Sequence, residues 1–72
     1  MAMLEYEIHG LDAFHMAEAL LRERGYTDRT DGPGSYSYQQ DAAPGWSGWY
    51  YWLAVCESPD KPIRAELDAL LK

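Results

Sequence analysis

From Met3 to His9 the chain alternates, with Leu4, Tyr6 and Ile8 on one side and Met3, Glu5 and Glu7 on the other. A period of two with one apolar face predicts a half-buried strand. Gly10 and Leu11 then turn the chain into a helix for which Asp12 is the expected N-cap. Ala13, Phe14, Ala17, Leu20 and Leu21 recur at helical spacing and leave His15, Glu18, Arg22 and Glu23 outside the stripe. Gly25, just past Arg22 and Arg24, predicts a left-handed stop, with Tyr26 closing back onto Leu21. The polar stretch from Thr27 to Gly34 reads as a loop that holds Asp28 and Asp31 at the surface.

The second half follows the same grammar. Tyr36 and Tyr38 alternate with Ser35, Ser37 and Gln39, a polar-edged strand from Ser35 to Gln40. A loop rich in Pro and Gly, Ala42 to Gly48, carries Trp46. Trp49 to Cys56 is apolar at nearly every position, the pattern of a central strand buried on both sides. A last helix is expected from Ser58-Pro59, or from Asp60, to the C-terminus, with Ile63, Leu67, Leu70 and Leu71 inward.

The order is strand, helix, strand, strand, helix. A right-handed crossover leaves a gap between the first two strands, and the apolar third strand fills it, antiparallel to both. The expected fold is therefore α+β: a two-layer sandwich whose three-stranded antiparallel sheet carries both helices on one face, like a ferredoxin-like fold without its last strand. Seventy-two residues suffice for a single domain, 1–72. A chain this short buries only about 60% of its unfolded surface, and three Trp, six Tyr and one Phe suit a core that must do much with little.

Charge narrows the partners. Twelve Asp and Glu against six Lys and Arg give a net charge of −6. That disfavours direct binding to nucleic acid, which Lys and Arg drive by releasing condensed counterions, and disfavours anionic membranes. A basic protein surface is the favoured target. The start of the chain has no basic n-region and no apolar run reaches the about 20 residues of a spanning helix, so a cytoplasmic location is expected.

Candidate chemistry is thin. His9, His15 and Cys56 are the soft metal ligands, and no two share a ligand spacing, so no metal or cofactor is expected. Cys56 reads as a small packing residue. None of Ser35, Ser37, Ser47 and Ser58 lies in a nucleophile elbow, and Asp31-Gly32-Pro33-Gly34 lacks the Lys of a phosphate loop. A non-enzymatic role follows.

The aromatic residues point elsewhere. If Trp49, Tyr51, Leu53 and Val55 face the helices, then Tyr50 and Trp52 face an uncovered side of the sheet, beside Glu5 and Glu7. RNA-recognition modules stack bases on such a face, but here the neighbours are acids rather than Arg or Lys, which suits a protein partner. The partner-binding candidates are Glu5, Glu7, Tyr50 and Trp52, with Glu18 and Glu23 on the first helix and Asp28 and Asp31 in the loop.

Short length, acidity, many aromatics and no catalytic set resemble small phage-encoded inhibitors of bacterial immunity, the anti-CRISPR proteins, several of which mimic DNA. The resemblance lies in size and charge over the whole chain and carries no motif. It implies a protein of the bacterial cytosol, monomeric or weakly dimeric, that occludes the basic nucleic-acid-binding surface of a CRISPR effector complex. The alternatives are a regulatory or oligomerising module that pairs through the aromatic sheet face, and a small-molecule binding domain.

Overall fold

The computed structural model describes residues 2–29, 32–42 and 49–72. In order these form β1 (Ala2–His9), α1 (Leu11–Glu23), β2 (Thr27–Asp28), β3 (Ser35–Ala42), β4 (Trp49–Glu57) and α2 (Arg64–Leu71). The class is α+β. The three long strands lie in the expected order, with β4 antiparallel to β1 on one side and to β3 on the other.

The sheet is mixed and four-stranded, however, not antiparallel and three-stranded. The expected loop after α1 opens with β2, which runs parallel to β3 at the outer edge, Thr27 opposite Ser35 and Asp28 opposite Tyr36. Thr27 N–H donates to the Gly34 carbonyl at 3.1 Å and Arg29 N–H to that of Tyr36 at 2.9 Å. Two residues show no hydrophobic period, so nothing in the pattern distinguishes them from loop.

Both helices contribute to one core, in which Phe14, Ala17 and Leu21 of α1 and Leu67 of α2 meet Leu4, Tyr6 and Ile8 of β1, Tyr36 of β3, and Tyr51, Leu53 and Val55 of β4. Leu53 is 1% exposed and Leu67 0%. Phe14 anchors one end, stacked on Tyr51 at 4.2 Å between ring centroids and edge-on to Tyr38 at 4.7 Å.

Helix ends depart from expectation at both starts. Gly10, at φ 105°, precedes α1, and Asp12 lies in the first turn, where its charge still favours the helix dipole. At the other end Tyr26 N–H reaches the Leu21 carbonyl at 2.9 Å and Gly25 N–H that of Arg22 at 3.0 Å. With Gly25 at φ 89° this is the left-handed stop, and Tyr26 does pack with Leu21 in the core. The last helix begins at Arg64, later than either expected start, because Pro62 pushes Lys61 out of helical geometry. Residues 58–61 instead form a turn closed by Lys61 N–H on the Ser58 carbonyl at 3.0 Å. The cap comes from β4: Glu57 Oε2 accepts from the backbone N–H groups of Ile63 and Arg64 at 2.9 and 3.0 Å. Those two bonds hold the Glu57 carboxyl below the usual carboxylate range.

Three buried tyrosines tie the layers by their hydroxyls. Tyr6 donates to Asp68 of α2 at 2.7 Å; Tyr36 donates to Glu18 at 3.0 Å and accepts from Arg22 Nε at 3.3 Å. Tyr26 donates to the Lys61 carbonyl at 2.6 Å and accepts from Ser58 N–H at 3.1 Å, which pins the turn before α2. Burial raises all three phenols above their ordinary value, and the Asp68 carboxylate raises Tyr6 further.

Candidate functional site

Because Leu4, Tyr6 and Ile8 point into the core, the alternate residues of β1 face the other way, and the register carries this across the sheet. Four rows result: Met3, Cys56 and Ser35; Glu5, Ala54 and Ser37; Glu7, Trp52 and Gln39; His9, Tyr50 and Asp41. The helices lie on the opposite side, and among the described residues no helix or strand covers these rows.

Trp52 lies at the centre and is 41% exposed, with Met3 61% exposed toward one end. Its indole N–H donates to Glu5 Oε1 at 3.2 Å, which fixes the ring beside β1 while leaving much of it in water. Tyr50 is half-buried and stacks with His9 at 5.8 Å between ring centroids; His9 Nε2 in turn lies 2.9 Å from Glu7 Oε2. Asp41 is exposed and accepts from its neighbour Ala42 N–H at 2.9 Å. The arrangement is an aromatic centre flanked by carboxylates from both neighbouring strands.

The eight residues singled out from the sequence do not share one surface. Glu5, Glu7, Tyr50 and Trp52 come together here. Glu18 is drawn into the Tyr36 and Arg22 network on the helix side, with its side chain only 17% exposed. Glu23 stays open to solvent, paired with Arg24 at 3.2 Å, and Asp28 is opposite Tyr36 and so falls on the helix side of β2. Asp31 lies outside the described residues, as does Trp46, the ring expected in the loop before β4. Gln39 and Asp41 were missed, because they join the site through the β3–β4 register rather than through any local pattern. Cys56, read as a packing residue, is half-buried on this open face rather than in the core.

Among the described residues no three of His, Cys, Asp and Glu are placed to hold a metal ion. Ser35 Oγ donates to the Gly32 carbonyl at 2.6 Å and Ser58 Oγ accepts from Asp60 N–H at 3.3 Å, so both hydroxyls serve turns. A shallow apolar hollow crosses the helix side between α1 and α2, walled by Met16, Leu20 and Leu70 and rimmed by Glu23 and Glu66. Arg24 pairs with both of those acids. No helix among the described residues is long and apolar enough to cross a membrane. No protein-family model matches the chain, and neither a curated protein nor a solved structure matches it.

Proposed function

We propose that this chain is a non-enzymatic binding protein that lays its open sheet face on a basic surface of a partner protein. The observation that carries this is Trp52, 41% exposed on the central strand and bracketed by Glu5, Glu7 and Asp41. Aromatic residues supply the energy of many interfaces, and surrounding charges select the partner and speed encounter. A net charge of −6 favours a basic target. Within that class, the likeness in size and charge to anti-CRISPR inhibitors makes the nucleic-acid-binding surface of a CRISPR effector complex the target of first choice, with inhibition by occlusion. Self-association face to face, the competing reading, would bring together two faces that each carry Glu5, Glu7 and Asp41.

Competition is the direct test. The protein should displace duplex DNA from a purified CRISPR effector, with displacement weakening as salt rises. Reversing Glu5 and Glu7 to Lys should slow association, whereas Trp52→Ala should speed dissociation, by about 2 kcal/mol or more where the ring is an anchor. Wild-type rates for both variants across a salt series would remove this face from consideration. No displacement from a panel of effectors would remove the target class.

A further inference from the structure

We propose that the outer edge of β1 accepts an extended basic segment of the partner, which joins the sheet as a further strand. This rests on the reading of a basic protein partner and adds how part of it is held.

The two edges of the sheet differ. In the order β1, β4, β3, β2, one edge is a strand of two residues and the other a strand of eight. Long free edges present a row of backbone donors and acceptors, and proteins usually blunt them with Lys, Pro, a bulge or a covering element. β1 has none of the first three: it contains no Lys, Pro or Gly and pairs with β4 without interruption from Ala2 opposite Glu57 to His9 opposite Tyr50. Among the described residues no strand pairs with its outer side.

Charge decides what fits there. Glu5 and Glu7 both project on the open face. A second copy pairing antiparallel in either of the two registers that overlap most of the strand, with two-fold axes at Glu5 and at Tyr6, would set Glu5 against Glu5 or Glu5 against Glu7. Directly opposed like charges destabilise a ladder, and opposite charges stabilise it. The edge therefore disfavours its own copy in its longest registers and favours Lys or Arg at alternate positions of the incoming strand. Side chains between those positions would turn toward α2, where Leu4, Tyr6, Arg64, Asp68 and Lys72 line a groove beside β1. Its Asp68 is already engaged by the Tyr6 hydroxyl and faces Lys72 at 3.6 Å, and Arg64 and Lys72 supply cations, so short polar side chains suit this side better than further Lys.

The probe is a synthetic peptide of alternating Lys and Thr, about ten residues long so that it spans β1 at roughly 3.3 Å per residue. It should bind the wild-type protein, slow hydrogen exchange at alternate backbone amides of β1, and weaken with salt. A Glu-Thr peptide should not bind, and the double variant Glu5→Lys, Glu7→Lys, its fold checked by thermal melting, should reverse the preference. Methylating the backbone nitrogens on one edge of the Lys-Thr peptide, with its charges intact, should abolish protection of β1 provided that the methylated edge is the pairing one; peptides methylated on each edge in turn cover both. Binding by both methylated peptides as tight as by the parent, binding without β1 protection, no binding, or a dimer in which β1 is already protected would each overturn the proposal. Trp52→Ala separates the two readings: it should spare the peptide while weakening the whole partner, so a partner held as tightly by Trp52→Ala as by wild type, with the peptide still bound, would overturn the open-face reading alone, and a partner weakened by Trp52→Ala when the wild-type protein binds no peptide would overturn the edge pairing alone.

Discussion

The two faces of the sheet are made by the same three strands, yet they behave as different materials. Along β4, Tyr51, Leu53 and Val55 are at most 5% exposed, while Trp52, between two of them, is 41% exposed. Nothing in residue type separates these neighbours; all are apolar or aromatic. The difference is set by what lies above each side. Two helices cover one face, and a chain of seventy-two residues forms no second helical layer among its described residues to cover the other. An unbroken apolar run therefore marks a central strand, paired on both edges, without implying burial on both faces.

Substitutions on the inner face should have the largest effect. Leu53→Ala or Leu67→Ala should each cost about 2–5 kcal/mol, read as a lower midpoint in denaturant or thermal melts, a large share of a small domain's stability. An unaltered melt for either would mean that the two faces are not distinguished as described.

Next come the polar ties of the covered side. Tyr26→Phe strips the hydroxyl from Lys61 carbonyl and Ser58 N–H, and a buried N–H left without a partner costs about 1–3 kcal/mol. Hydrogen exchange at the Ser58 amide should speed up in the variant before the core strands are affected. Protection at that amide equal to wild type would show that the turn does not depend on this hydroxyl.

The pH dependence should be smaller and two-sided. Glu57 and Asp68 have folded-state values lowered by backbone N–H groups and by the Tyr6 hydroxyl respectively. Their contribution is present above the ordinary carboxylate range near 4 and is lost as pH falls through the lowered folded values. Glu57→Gln should flatten that acid limb and leave the neutral plateau slightly lower, since an amide oxygen caps more weakly than a carboxylate. Tyr6, Tyr26 and Tyr36 act on the other limb: raised phenols stabilise below the ordinary value near 10, and this is lost as pH climbs toward their folded values. An acid limb identical in Glu57→Gln would discount the cap.

The smallest effect on stability is expected on the open face. Trp52→Ala should cost about 1 kcal/mol, well below the core substitutions, because the ring is 41% exposed and its hydrogen bond to Glu5 is at the surface, so that what is lost is packing on the neighbouring strands. A loss comparable with that of Leu53→Ala would mean that Trp52 is a core residue and not a binding one.

Much of this molecule was legible from spacing alone. The two-residue period of Leu4, Tyr6 and Ile8, the helical stripe through Phe14, Ala17 and Leu21, and the stop at Gly25 each follow from local sterics and the burial of a single face. The order of the three long strands followed from the handedness of the crossover, and with it the facing of Trp52 beside Glu5 and Glu7. What the sequence could not supply is whatever depends on partners distant along the chain. β2 exists because Gly34 and Tyr36 present backbone groups to Thr27 and Arg29, and α2 starts at Arg64 rather than at Ser58 or Asp60 because Pro62 keeps Lys61 out of helical geometry and a carboxylate from β4 reaches its first amides. Gln39 and Asp41 enter the open face by register, and Glu18, one of many acids by type, is drawn out of solvent on the helix side by the Tyr36 hydroxyl. Local pattern tells which side a residue faces within its own element; only tertiary packing decides whether that side meets a helix, a hydroxyl or water.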